Sequence, residues 1–128
     1  DGRRLWVLDT PNAYVHVFDV AGLPGRSPRP VADIALSDSF AGTQSDCSFD
    51  CEREGWLQQS LSGCFVYVGD SGDVLSAVTL RRVGYLPALR NSREMLEIDW
   101  RHGVPVATST RSSVGYPHAP RPSRRTCR

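Results

Sequence analysis

The chain reads as a succession of short runs in which apolar and polar positions alternate. Residues 13–20 (AYVHVFDV) alternate most cleanly: Tyr14, His16 and Phe18 fall on one face, and Val15, Val17 and Val20 mostly on the other. That period of two predicts a strand. Residues 4–9 (RLWVLD) form an almost unbroken apolar run with no helical period, which predicts a strand buried on both faces. The turn Thr10-Pro11-Asn12 separates these two strands. AGLPGRSPRP, residues 21–30, is a loop by composition. PVADIAL, residues 30–36, predicts a short strand near an edge, because proline is tolerated at a strand start but not inside a ladder. Four consecutive strands are predicted next, over 55–60 (GWLQQS), 65–70 (FVYVGD), 73–80 (DVLSAVTL) and 81–89 (RRVGYLPAL). RNSRE then links to MLEIDW (95–100), an RHG turn, VPVATST (104–110) and SSVGY.

The pattern repeats. Residues 56–74 can be laid on residues 96–114 without a gap, with Gly63 on Gly103, Val66 on Val106 and Val74 on Val114. A less regular copy opens the chain, with Gly2 on Gly63, Val7 on Val68 and Asp9 on Asp70. A period of about 40 residues in a strand-rich chain is that of propeller blades. The expected fold is therefore all-β, with about two and a half four-stranded antiparallel blades. Residues 1–36 would form a partial blade, 55–94 a complete one and 95–116 another partial one. Residues 37–54 are polar and non-periodic, and read as an inserted, Cys-containing loop. Residues 117–128 (PHAPRPSRRTCR) lack an apolar period and read as a disordered Pro/Arg-rich tail. A closed propeller needs roughly four to eight blades, so the expectation is a fragment of a larger β-propeller.

The segments DGRRLWVLDTPNAYVHVFDV and FVYVGDSGDV resemble the YVTN/NHL-type β-propeller repeats, whose blades carry a G-x-x-[VLF]-[YW]-V-x-[DN] strand. From CSFDCEREGW through LPALRNSREMLEIDW and GVPVATSTR the chain is similar to a group of uncharacterised exported propeller proteins of bacteria and fungi. The resemblance covers about residues 1–116 and is most specific over 55–116. Cys64 departs from it, standing where a polar surface residue is expected. Residues 73–78 lack the D-x-x-T-x-K turn of such blades. The resemblance implies a propeller and an extracellular or periplasmic location, but no particular catalytic activity.

Composition narrows the function classes. A net charge of +1 argues against non-specific nucleic-acid binding. No apolar run approaches the ~20 residues of a membrane span. All 15 basic residues are Arg, which forks onto carboxylates better than Lys. Four cysteines are too few for a disulfide scaffold. Cys47 and Cys51 are expected to form a disulfide clip on the insert, with half a metal site and two free thiols as the alternatives. Cys64 reads as a small buried hydrophobe and Cys127 as an exposed tail thiol.

Several residues are candidates for chemistry. Glu97 and Asp99 alternate with Leu96 and Ile98, so both carboxylates share one strand face. On an innermost blade strand that face would look toward a channel, where the pair could hold Ca²⁺ or another divalent cation, or act as an acid/base pair. The bland alternative is an ion pair with Arg90, Arg93 or Arg101. Gln58 and Ser60 occupy comparable positions in the preceding blade and extend a polar rim; Gln58 and Arg90 join the acids as ligand or channel candidates. Gly69-Asp70-Ser71-Gly72 spells the tetrapeptide around a trypsin-like nucleophile, but it lacks a His base in context and reads as a tight turn. Asp9 and Asp70 are expected to bond the turns that follow them, and Trp6, Trp56 and Trp100 to pack between blades.

The function these features suggest is non-enzymatic: an exported module that presents loops to a protein or small-molecule ligand, with no cofactor. Open blade edges leave it prone to self-association. The alternative is a lactonase-like hydrolase with a divalent cation in the channel, by analogy of fold.

Overall fold

The computed structural model describes residues 2–38, 40, 42–43, 52–110, 114–115 and 127. It is all-β among these residues, apart from one 3-10 turn at Pro87–Leu89. Ten strands form three antiparallel meanders in chain order. The first sheet holds β1 (Arg4–Asp9), β2 (Tyr14–Asp19) and β3 (Arg29–Ala35). The second holds β4 (Trp56–Gln59), β5 (Phe65–Gly69), β6 (Asp73–Ser76) and β7 (Arg81–Tyr85). The third holds β8 (Glu97–Arg101), β9 (Val104–Ser109) and β10 (Val114–Gly115). Among the described residues no helix is long and apolar enough to cross a membrane.

Local chemistry explains the hairpins. His102 and Gly103 alone separate β8 from β9, both with positive φ (51° and 78°). That is the two-residue turn whose twist matches a right-handed hairpin. Between β1 and β2, the Asp9 carboxylate accepts the Asn12 backbone N–H at 3.2 Å, as a turn-initiating aspartate does.

The first and second sheets meet through an apolar seam. Val15 and Val17 of β2 and Ile34 of β3 pack with Val66, Val68 and Leu75 of the second sheet, and Phe40 closes the cluster. Each fully buried Val or Leu contributes about 1.5–3 kcal/mol. The alternation read in residues 13–20 is the cause, since it puts Val15 and Val17 inward and Tyr14, His16 and Phe18 outward.

Other expectations are corrected. β1 is not buried on both faces: Trp6 and Leu8 pack on the core, while Leu5 and Val7 are 48% and 40% exposed on the opposite face. The strand expected over 73–80 ends at Ser76, where the Ser76 hydroxyl accepts the Val78 and Thr79 N–H groups and turns the chain. The strand expected over 81–89 ends at Tyr85, ahead of the 3-10 turn. Trp56 is buried as expected, but Trp100 is 61% exposed and packs between no sheets. Cys64 is not a lone hydrophobe, nor is Cys127 a free tail thiol. The two form a disulfide that joins the start of β5 to the C-terminal segment. Cys47 and Cys51 lie outside the described residues, as do 117–126 and 128.

Candidate functional site

The sequence candidates lie on a seam unlike the first. Glu97 pairs with Ser109 and Asp99 with Ala107 across β8 and β9, so these four side chains share a face. That face is turned toward the second sheet. Gln58 Nε2 donates to the Ser109 carbonyl at 3.0 Å, and the Ser109 hydroxyl donates to the Gln59 carbonyl at 3.4 Å. Glu97 Oε2 accepts the Leu61 N–H at 2.9 Å. Trp56 Nε1 donates to the Ser92 carbonyl at 2.6 Å. The seam between the second and third sheets is therefore held by polar contacts.

These contacts relocate three of the four ligand candidates. Glu97 and Asp99 do share a face, but Glu97 is engaged with a backbone amide at the end of β4. Gln58 is 2% exposed and buried in the seam, not at a rim, and its Oε1 has no hydrogen-bond partner among the described residues. Arg90 lies elsewhere, its Nε 2.9 Å from Asp38 Oδ2. Burial pushes the Glu97 carboxyl above the usual range; the Leu61 N–H opposes this and the nearby Asp99 charge adds to it. Tyr67 faces the same seam, paired with Gln58. Its phenol is pushed up by burial, then by the charges of Glu97 and Asp99.

A second polar cluster surrounds the Gly69-Asp70-Ser71-Gly72 turn. Asp70 has φ 66° and Gly72 φ 87°, so the segment is the tight turn the sequence predicts. The Ser71 hydroxyl is fully buried and donates to Asp73 Oδ2 at 3.1 Å. A buried hydroxyl spent on a neighbouring carboxylate is no nucleophile. Asp70 also reaches residues on neighbouring segments. Its carboxylate reaches back to the Gly55 N–H at 3.1 Å, while its own N–H bonds the Leu89 carbonyl at 3.0 Å. Asp73 is wholly buried and ties the two sheets together: it accepts the Ser37 N–H at 2.8 Å and the Ser37 hydroxyl at 2.7 Å. Sequence reasoning passed over Asp73. The signal available was an acid at the first position of an apolar strand, between two turn residues and Val74.

A third cluster occupies the outward face of the first sheet. His16 lies between two carboxylates, with Nδ1 2.6 Å from Asp33 Oδ1 and Nε2 3.2 Å from Asp9 Oδ2. Tyr14 stacks on its ring, with centroids 6.2 Å apart and planes 11° from parallel. The Asp33 hydrogen bond, then that of Asp9, raises the imidazole above its usual value. Asn12 and then His16 hold the Asp9 carboxyl below its own. The cluster is a cross-strand product: His16 stands opposite Asp33 in β3 and Val7 in β1. Among the described residues no group of three or more His, Cys, Asp or Glu side chains is placed to hold a metal ion.

No family model matches the chain, and no match was found among curated proteins or solved structures.

Proposed function

We propose that the chain is a run of consecutive β-propeller blades acting as a non-enzymatic, exported module that presents loops to a protein or small-molecule ligand. The observation that carries the reading is the stack itself. Three meanders follow in chain order, each numbered outward from its first strand, with β1 lying beside β4 and the end of β4 beside β8. Successive blades of a propeller approach one another in this way through their first strands. The Cys64–Cys127 disulfide suits an oxidising compartment, which supports a location outside the cytoplasm and, on this reading, an extracellular or periplasmic one. Apolar side chains on the two outward faces, Leu5 and Val7 on one and Ile98 and Trp100 on the other, favour self-association of open blades.

One observation favours the second reading, a lactonase-like hydrolase using a divalent cation. Glu97 and Asp99 stand close enough for their charges to oppose one another, a repulsion a cation would relieve. Ca²⁺ takes six to eight oxygen ligands, and two carboxylates, one already holding the Leu61 N–H, supply only part of that set.

Calorimetric titration with Ca²⁺, paired with light scattering before and after EDTA, tests both readings. The binding module predicts no saturable Ca²⁺ uptake and a mass indifferent to metal. Saturable uptake abolished by Glu97→Gln or Asp99→Asn would overturn it in favour of the hydrolase.

A further inference from the structure

A groove of about 570 Å³ opens where the start of β1 meets the hairpin turns of the second sheet. Arg3, Arg4, Trp6, Gln59, Ser62 and Cys127 are among the residues that line it. In this groove the Cys64–Cys127 disulfide presents one of its two halves. Cys127 lines the groove and is half-buried, whereas Cys64 is 9% exposed and does not line it. A solute in the groove therefore meets the bond from the Cys127 side, with Cys64 behind the wall.

Cys64 is tied into the sheet independently of its sulfur. Its N–H donates to the Ser62 hydroxyl at 3.2 Å, and its carbonyl accepts the Ala77 N–H at 2.8 Å. The adjoining Phe65 N–H donates to the Ser60 hydroxyl at 3.0 Å. Cys64 Sγ lies 3.8 Å from the Ser62 carbonyl, an acceptor that a disulfide cannot use and a thiol can. A sulfur released at Cys64 thus stays in place and finds a weak hydrogen bond. The groove wall is also cationic. Arg3 and Arg4 line it, and among the described residues no Asp or Glu does. Arg4 rests a terminal nitrogen on the Ala77 carbonyl, a neutral partner that leaves its charge in place. The nucleophile of thiol–disulfide exchange is a thiolate, which carries its negative charge into this field. A carboxylate on the same molecule adds a second.

We propose that Cys127 Sγ is a thiol-exchange site, entered through this groove by a small thiol that carries a carboxylate. The incoming thiolate bonds Cys127 Sγ. The Cys64–Cys127 bond breaks as that bond forms, and its electron pair leaves on Cys64 Sγ, which then takes a proton from water. One disulfide replaces another, so the step needs no oxidant. Its product is a chain thiolated at Cys127, with the cross-link to β5 opened. The site does not depend on the propeller reading.

The test is reaction of the full folded chain with 3-mercaptopropionate, 2-mercaptoethanol and cysteamine at equal thiolate concentration, quenched in acid and mapped by peptide mass. The adduct should sit on Cys127, with Cys64 recovered as the free thiol. At low ionic strength the anionic thiol should react about threefold faster than the neutral one, and the cationic thiol slower by a similar factor. Added salt should collapse that spread. Arg4→Gln should narrow it, and Arg90→Gln, beside the far end of β5, should leave it unchanged. Where Arg4→Gln does not fold, the position of the adduct and the salt dependence in the unsubstituted chain still decide. In urea the preference for Cys127 should vanish, since both sulfurs are then open. An adduct on Cys64 or an even mixture in the folded chain overturns the site. So does the absence of any adduct, a rate indifferent to thiol charge, or a Cys127 preference that persists in urea.

Discussion

The Cys64–Cys127 disulfide is the feature whose removal has the most calculable effect. It closes a loop spanning 63 positions, which takes in the rest of the second sheet and all of the third. In the chain-entropy description, a loop of that length lowers the entropy of the unfolded ensemble by about 14 cal/mol/K, or about 4 kcal/mol at 25 °C. Small domains are stable by only about 5–15 kcal/mol, so the cross-link contributes a large part of the total. Cys127→Ala removes it while leaving the buried Cys64 side chain its volume. A Cys64→Ala/Cys127→Ala double variant then excludes exchange with other thiols. With a urea m-value of about 2 kcal/mol/M, the unfolding midpoint should fall by roughly 2 M in each variant. Tryptophan fluorescence is a suitable probe, because Trp56 is buried in the second seam and Trp6 packs on the first. Mass spectrometry of the alkylated native protein should show Cys64 and Cys127 protected. A midpoint shift under about 0.5 M at unchanged m, or labelling of Cys64 in the folded wild type, would refute the reasoning.

Three further outcomes follow from the seams and the outward face. A Cβ on Gly69 would lie 1.8 Å from Trp56 Cε2, so Gly69→Ala must displace the indole that bonds the Ser92 carbonyl. Overpacking and the lost hydrogen bond together should cost about 3 kcal/mol and lower Tm by roughly 10 °C; a shift within about 2 °C would count against the packing described. Glu97→Gln keeps an acceptor for the Leu61 N–H and removes a charge that the fold holds at a raised pKa. Wild-type stability should fall as pH rises through the range between the ordinary and the raised value, because the folded state there binds more protons. The variant should lose that slope and gain about 0.5 kcal/mol or less at neutral pH, a small figure because the site is partly solvated. For His16 the raised value means its contribution is complete below the unfolded value of 6.5 and disappears as pH climbs through the folded one. An NMR titration should place its midpoint above 6.5, with Asp33→Asn lowering it more than Asp9→Asn; a midpoint at or below 6.5 contradicts the two hydrogen bonds.

How much of this was legible in the sequence depended on what holds each part. The first seam is fixed by volume and by a period of two, and both are written in residues 13–20 and 65–75. The pattern puts Val15 and Val17 on one face and makes 65–70 a strand; which faces are buried is what the packing of the two sheets adds. The failures came where context outweighs pattern. Leu5 and Val7 look as buried as Trp6 and Leu8, because an apolar run does not say whether another sheet covers its second face. The strand ends at Ser76 and Tyr85 were overrun because the serine cap and the 3-10 turn carry no hydrophobic signature. The partner of Cys64 lies 63 positions away, a separation that local spacing cannot report.

The polar positions show the same division more sharply. Apolar side chains are interchangeable within a size class, so the sequence need only say where they stand. Polar side chains are defined by their partners, and partners come from the register of other strands. Glu97 and Asp99 could be assigned to one face from their spacing, but not the surface that face meets. That followed only once Glu97 paired with Ser109, and Ser109 met Gln58 and Gln59. Arg90 stands close in sequence to both acids, yet it serves Asp38, its backbone held by a bridge to Asp70 at the end of β5. Arg90 there lines one groove with Asp38, Asp73 and Arg82. A sequence-distant arginine and a buried aspartate thus converge where neither residue's neighbours would place them.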